Sequence, residues 1–365
     1  MVDVDKFYNF IQKKINFYTG VPDSILKDFS TCLELKEKNH LISTNEGSAV
    51  ALAIGNYLTT KKIGLVYLQN SGLSNAINPL ISIADKSVYS IPLILLIGWR
   101  GAPGVEDEPQ HKTKGKITIK LLKNLKLKFR ILKSNNDIKK IDKLISFAKK
   151  NSTPVCLLIK PKTLYSKKKN KKNFINHSNL SREFFLKNLL NKINKNEKLI
   201  CTTGYTSREV YQIRKSYNLK NGKDFYLVGG MGHASSVSLG TSLKSKTKIN
   251  CIDGDGSSLM HLGGVASMGV FGKKNLRYFI LNNNCHESVG SQRTIAAKLN
   301  FKKISQAFNF KNYELIKSKK DVKKLTQILK KDGPIFVEVK IKNKSIENLK
   351  RPKQLLKIKK NFMSK

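Results

Sequence analysis

Apolar positions recur along this chain with two periods, and the switches between them mark out alternating helices and strands. Val4 to Asn16 carries apolar residues at helical spacing, and Thr19-Gly-Val-Pro-Asp23 then reads as a turn into another helix. A short strand is expected near Leu41 to Ser43, followed by a helix from Glu46 to Tyr57. Ile63 to Leu68 predicts a strand that ends in a loop at Gln69-Asn-Ser-Gly72, before a helix with Pro79 inside it. The apolar run Leu93 to Ile97 predicts a buried parallel strand that opens into a long loop, Gly98 to Gly115.

The same rhythm restarts in the second half. Helices are expected at Arg182 to Lys192, from Ser207, and from Asp321 to Lys331. Strands are expected at Leu199 to Thr202, Phe225 to Val228, Lys248 to Ile252, Leu276 to Leu281, Tyr313 to Ile316 and Ile335 to Val339. Strands that alternate with helices imply parallel sheets, with functional loops at the carboxyl ends of the strands. Between the halves lies Lys167-Lys-Lys-Asn-Lys-Lys172, a charged stretch without periodicity. The expected organisation is therefore α/β, with two related doubly wound parallel-sheet domains: 1–165, a linker at 166–180, and 181–365.

Composition changes this picture little. The five cysteines, Cys32, Cys156, Cys201, Cys251 and Cys285, form no CxxC pair, so neither a disulfide framework nor a zinc site is indicated. No apolar run reaches the roughly 20 residues needed to span a bilayer. The start, Met1-Val-Asp-Val-Asp-Lys6, lacks the basic-then-apolar order of a secretory signal, so a cytoplasmic location is the expectation. The formal charge of +44 points by itself to nucleic acid or an anionic membrane. Its carriers, however, are mostly Lys dispersed through the chain, with Arg rare and no aromatic-and-basic stripe for stacking on bases. A solvated basic surface is the preferred reading. A non-catalytic nucleic-acid-binding protein is the alternative from a different class, and it would leave the acids discussed next without a task.

In the second half, the strand at Ile249 to Asp253 runs into Gly254-Asp-Gly-Ser-Ser258, with a helix expected from about Leu259. Glycines at a strand-to-helix turn let the backbone approach a phosphate, and the helix N-terminus supplies N–H groups for it. Asp255 would repel a bare diphosphate, so a divalent cation belongs between them. The next strand ends in Asn282-Asn-Asn-Cys285, whose oxygens are hard ligands suited to Mg2+. Thr203-Gly204 and Ser207, at another strand-to-helix turn, are further candidates for diphosphate contacts. Either glycine turn or Asn-rich loop alone is an ordinary surface feature. The pair, with Asn283 28 positions after Asp255, resembles the thiamine-diphosphate-binding motif. That resemblance implies Mg2+ held by Asp255, Asn283 (Asn282 in the other register) and the Cys285 carbonyl. It implies that Gly254, Gly256 and Ser257 hold the diphosphate. In Val228-Gly-Gly-Met-Gly-His-Ala234, it gives Met231 as the apolar wedge beneath the cofactor and the Gly229 carbonyl as an acceptor for its aminopyrimidine.

Thiamine chemistry also needs a carboxylic group against the pyrimidine. In the first half, Thr44-Asn-Glu46, followed by the small-residue helix Gly47 to Gly55, resembles that signature. Four further segments, Gly20-Val-Pro-Asp-Ser24, Trp99 to His111, Thr203 to Glu209 and His286-Glu-Ser-Val-Gly290, extend the resemblance over nearly the whole chain. It is to the thiamine-diphosphate-dependent 2-keto acid decarboxylases, and within them to phosphonopyruvate decarboxylase, with sulfopyruvate decarboxylase a near relative. The resemblance implies pyrimidine-binding and diphosphate-binding domains without a middle domain. It also implies an obligate homo-oligomer with active sites at the subunit interface. Glu46 would be the activating acid, and Asp23, His111 and His286 would handle protons. The substrate is expected to be a small anionic 2-keto acid, with Arg100, Lys112 and Arg293 as candidates for its head group. His40 and His177 read as surface residues. Tyr205, Arg293 and Ala102 depart from the residues common in the family at those positions. A carboligating synthase is a further rival, but such enzymes commonly carry a middle domain that has no room here.

Overall fold

The computed structural model describes residues 1–166, 178–217, 219 and 222–364. It divides into two units, Met1–Lys172 with Val289–Gln292, and Asn173–Ser288 with Arg293–Lys365. Most of the expected linker at 166–180, and His177 with it, lies outside the described residues.

The main sheet of the first unit has six strands: β1 (Phe17–Gly20), β2 (His40–Ile42), β3 (Gly64–Gln69), β4 (Leu93–Gly98), β5 (Lys128–Leu132) and β6 (Val155–Ile159). All are parallel, in the order β2-β1-β3-β4-β6-β5. Helices cover both faces, so β4 and β6 are buried along their whole length and read as unbroken apolar runs. One face packs on α1 (Val4–Ile11), α2 (Lys27–Lys36) and α6 (Ile138–Asn151). The other packs on α3 (Glu46–Thr60), α4 (Leu73–Pro79) and α5 (Pro109–Asn124). The edge strand β5 alternates exposed and sheltered residues instead.

The second unit repeats this plan. The strands of its main sheet are β7 (Lys198–Cys201), β8 (Lys223–Tyr226), β9 (Ile249–Gly254), β10 (Leu276–Asn282), β11 (Asn312–Ile316) and β12 (Ile335–Lys340). They are parallel in the order β8-β7-β9-β10-β12-β11, the same permutation as in the first unit. One core lies between the sheet and α7 (Arg182–Lys192) and α8 (Tyr205–Ser216). A second core involves α9 (Ala234–Lys244), α10 (Asp255–Met260), α11 (Leu262–Phe271) and α12 (Phe301–Ala307). In both sheets the order reverses beside the first strand, which opens a crevice at the carboxyl ends where ligands bind in such folds.

Several boundaries differ from expectation. The first helix ends at Ile11, and Phe17–Gly20, expected partly as turn, is a central strand. It was hidden because β1 has only four residues and ends in glycine. The loop expected up to Gly115 stops at Glu108, where Pro109 opens α5 from the first helical position. The helix expected from Leu259 already begins at Asp255, so the Gly-Asp-Gly turn is the helix start itself. The helix expected over 321–331 is a 3-10 turn, Asp321–Lys324, followed by only Leu325–Ile328. The strand expected at 225–228 sits at Lys223–Tyr226. Among the described residues, no helix is long and apolar enough to cross a membrane.

Candidate active site

In the first unit the candidate residues gather at the carboxyl ends of β1 to β4. Asn45 caps α3, its side chain accepting the Ser48 N–H at 2.8 Å, and this places Glu46 in the first helical turn. Glu46 is only 5% exposed. Its Oε2 accepts from Asn75 Nδ2 at 2.8 Å, and a Cβ on Gly72 would lie 2.0 Å from its Oε1. The carboxylate therefore has a fixed seat, formed by a glycine and an amide that follow β3.

Asp23, after β1, is buried. Its Oδ1 accepts from Gln69 Nε2 at 2.5 Å and its Oδ2 from the Ile25 N–H at 2.9 Å. A Cβ on Gly98 would come within 2.2 Å of Oδ2. Burial raises the Asp23 carboxyl above its ordinary range, against the opposing hydrogen bonds from Gln69 and Ile25.

After β4 the chain is organised by Asp107, a residue to which sequence reading gave no role. Its carboxylate accepts from Arg100 Nε at 2.7 Å and Nη2 at 2.5 Å, and from the Gly101 and Glu108 N–H groups at 2.8 Å each. It also lies 2.8 Å from His111 Nδ1. Burial alone would push Asp107 up, but the bonds from Arg100 and His111 outweigh it and hold the carboxyl well below the usual range. Since a carboxylate only accepts, the His111 ring presents an N–H to it at Nδ1. Arg100 Nη1 donates to Ser24 Oγ at 3.0 Å. Arg100 and His111 are thus brought together, whereas Lys112 is exposed on α5. His40, expected at the surface, is instead partly buried, with Nε2 2.8 Å from Tyr67 Oη.

In the second unit, Asp255 opens α10 and is 2% exposed. Its Oδ2 accepts from Thr294 Oγ1 at 2.5 Å. Burial pushes its carboxyl up to about 7, against bonds from Thr294 and from the Gly256 and Asn283 N–H groups. The Asn283 bond brings the Asn-rich loop directly onto the acid. The two amides are held alike: Asn282 Nδ2 donates to Glu338 Oε1 at 2.9 Å and its Oδ1 accepts the Asn284 N–H at 3.2 Å, while Asn283 Nδ2 donates to Glu287 Oε2 and its Oδ1 accepts the Cys285 N–H, both at 3.2 Å. A buried acid, an amide oxygen and a nearby carbonyl form a hard-oxygen donor set that fits Mg2+. Among the described residues, no three His, Cys, Asp or Glu side chains converge. His286 lies beside Gly256, where a Cβ would meet its ring at 2.6 Å, and burial pushes its imidazole down to about 4.

Backbone donors surround this position. Gly204, at φ 90°, turns the chain into α8, so Tyr205, Thr206 and Ser207 present first-turn N–H groups. The Ser207 hydroxyl is already spent on the carbonyls of Thr202 at 2.5 Å and of Cys201 and Leu227 at 3.2 Å each, so only its N–H remains for a ligand. Ser257 Oγ receives the Gly232 N–H at 3.0 Å and lies 2.8 Å from Thr202 Oγ1, tying the glycine-rich loop to α10. No atom comes within 4 Å of a Cβ built on Gly254 or Gly230, so both loops keep an open face. Met231 is partly buried between Gly230 and Gly232, which both have positive φ, and Gly229 is also partly buried. Thr203 is partly buried, and Arg293 is exposed on the segment after the Asn-rich loop.

Two family models match the chain. Residues 8–121 match "Thiamine pyrophosphate enzyme, N-terminal TPP binding domain", and residues 202–339 match "Thiamine pyrophosphate enzyme, C-terminal TPP binding domain". Over 352 residues the chain is 30% identical to the phosphonopyruvate decarboxylase of Streptomyces hygroscopicus, covering 92% of this chain and 86% of that one. The sulfopyruvate decarboxylase subunit beta of Methanothermobacter thermautotrophicus is 36% identical over 148 residues, 40% of this chain and 75% of that one. Subunit alpha from the same organism is 29% identical over 150 residues, again 40% of this chain and 87% of that one.

Proposed function

The chain belongs to the phosphonopyruvate decarboxylase family of thiamine-diphosphate enzymes, and on that premise we propose that it converts phosphonopyruvate to phosphonoacetaldehyde and CO2 with Mg2+ beside the cofactor. The observation that carries this reading is the convergence of Asp255 with the Asn283 loop at the head of α10. When bound, thiamine diphosphate supplies the electron sink that lets a 2-keto acid lose CO2. The protein's part is to hold, orient and protonate. Asp255, Asn283 and the Cys285 carbonyl hold Mg2+. The first-turn N–H groups of α8 and α10, with Ser257, Thr203, Gly204, Gly254 and Gly256, hold the diphosphate. Gly229 and Met231 set the posture of the rings.

Glu46 keeps a hydrogen-bonding carboxyl group toward the pyrimidine, and its seat between Gly72 and Asn75 supports that task. Asp23, His111 and His286 exchange protons with substrate and product. Arg100, Lys112 and Arg293 face the anionic head group. We assign the reaction to phosphonate biosynthesis in the cytoplasm, carried out by a homo-oligomer with active sites at the subunit interface. Exposed apolar side chains on α3 (Leu52, Leu58) and on α11 (Val270, Phe271) support an assembly, as do the alpha and beta subunits of the sulfopyruvate relatives.

Sulfopyruvate is the second reading, favoured by those same relatives. The test is CO2 release by purified protein with thiamine diphosphate and Mg2+, offered phosphonopyruvate, sulfopyruvate and pyruvate in parallel. Turnover of phosphonopyruvate, lost in Glu46→Gln, is expected. Turnover of sulfopyruvate alone keeps the chemistry and replaces the substrate. No CO2 from any of them overturns the reading.

A further inference from the structure

We propose that Glu287, locked in place by the buried Arg182, is a positioning residue that orients the Asn283 amide and holds its oxygen toward the divalent cation. The inference rests on the metal reading above.

Arg182 is the first residue of α7, where the helix dipole disfavours a cation, yet it is 4% exposed. Two carboxylates account for its place there. Nη1 donates to Glu209 Oε1 at 2.9 Å, and Nη2 donates to Glu287 Oε2. Glu209 is itself 0% exposed on α8, so one end of this chain of bonds is anchored in packed helices. The other end is Glu287, two residues beyond Cys285.

Glu287 Oε2 also accepts from Asn283 Nδ2 at 3.2 Å. A carboxylate paired with a guanidinium offers only lone pairs, so the Asn283 amide must present its nitrogen to it. The amide oxygen is thereby turned the other way. There it accepts the Cys285 N–H at 3.2 Å. Two independent bonds therefore fix the same amide orientation, the one a cation requires. With two carboxylates around one guanidinium, the cluster also leaves an excess of negative charge beside the metal loop. Outer partners of this kind hold metal ligands in register, and removing one typically weakens metal binding by about 10–100-fold.

The experiment titrates MgCl2 into thiamine-diphosphate-saturated wild type, Glu287→Ala and Glu287→Gln by calorimetry, and counts bound Mn2+ by electron paramagnetic resonance as a second probe. Glu287→Ala is expected to raise the Kd for Mg2+ by about 10–100-fold. Glu287→Gln, which keeps the shape and a carbonyl, should raise it by less. Activity of both should recover at high Mg2+, with KM for the keto acid unchanged. A merely structural role would lower the Tm of the metal-free variants and leave their Kd for Mg2+ at the wild-type value, and that result overturns the proposal. If Glu287→Ala does not fold, the isosteric Glu287→Gln decides alone, and a wild-type Kd there is equally fatal. A wild type that takes up no Mg2+ removes the metal reading itself, and the proposal falls with it.

Discussion

Gly72→Ala moves the Glu46 carboxylate without touching its charge, which makes it a sharper probe of the first half-site than removing the acid. Gly72 stands at the head of α4 with φ −85° and ψ −6°, a conformation that alanine adopts without strain. A methyl there would lie 2.0 Å from Glu46 Oε1 and 2.3 Å from Cδ. Contacts between nonbonded heavy atoms settle near about 3.5 Å, so the carboxylate must retreat by roughly 1.5 Å. The retreat breaks its 2.8 Å bond from Asn75. A hydrogen bond to a charged group contributes about 1.5–3 kcal/mol. The stiffer unfolded chain returns about 0.4–1 kcal/mol. The net loss is then about 1–2 kcal/mol, which moves Tm by only a few degrees in units of this size. Catalysis should suffer far more, because a misplacement of about 1 Å at a reacting group costs on the order of 100-fold. The assay is the initial rate of CO2 release on whichever 2-keto acid the wild type turns over, at saturating thiamine diphosphate and Mg2+, beside a thermal melt. A folded Gly72→Ala enzyme with wild-type kcat would mean that the position of the Glu46 carboxylate is not used, and its assigned role would be wrong.

Asp107→Asn replaces an acceptor-only carboxylate with an amide that must aim its nitrogen at Arg100 or at His111. We expect kcat/KM to fall by about 100-fold or more, with the acid limb of the pH–rate profile displaced; an unchanged profile would show that His111 works without this partner. The same variant has a stability signature. The Asp107 carboxyl is held below its unfolded value, so its contribution is present above about pH 4 and lost as pH falls toward the folded value. The denaturant midpoints of wild type and Asp107→Asn should therefore converge on acidification. His40 gives a different pH dependence: burial pushes its imidazole down to about 4, so between pH 6.5 and 4 the unfolded chain binds a proton that the folded protein refuses. Stability should fall over that window by roughly 1–3 kcal/mol, allowing for its partial exposure. Chemical denaturation of His40→Gln should lack that part of the slope, and an identical slope in both proteins refutes the assignment.

The alternation of helix and strand was legible because parallel strands buried on both faces leave unbroken apolar runs, as at Leu93 to Ile97. Phe17–Gly20 is hard to see in the sequence because four residues that run into Val21-Pro-Asp23 look like a turn until a neighbouring strand pairs with them. The helix hidden in the expected long loop begins at Pro109, and its polar, lysine-rich first turns carry no apolar stripe. Glu46, Asp255 and Asn283 could be singled out as candidates because each stands beside a backbone signal: a cap, a glycine pair or a strand end. Asp107 and Glu287 could not, since a single acid among other acids declares its partners only when the chain has folded. One weak signal was available. Arg is scarce in this lysine-rich chain, and Arg100, Arg182, Arg214 and Arg277 each pair with a carboxylate in the folded protein. Arg holds a carboxylate bidentately and stays charged when buried, which Lys does less well. Asking which acid each Arg was kept for would have pointed toward Asp107 and Glu287.

The repeated strand order explains how such different chemistry is laid out on one plan. In each sheet the first strand has neighbours reached in opposite directions, so the carboxyl ends beside it face a crevice rather than a crossing helix. In the first unit those ends carry acids and amides that bind one another: Asp23 with Gln69, and Glu46 with Asn75. In the second they carry glycines and hydroxyls around an acid that accepts from Thr294 and from backbone N–H groups. The difference lies in what balances the buried charge. Amide donors that follow β3 can keep a carboxyl in place for hydrogen bonding and proton transfer. Burial pushes the Asp255 carboxyl up to about 7, so a cation beside it would favour its ionised form. If the proposed Mg2+ and diphosphate sit there, the glycine-rich unit is the one whose thermal melt should shift most when Mg2+ and cofactor are withheld.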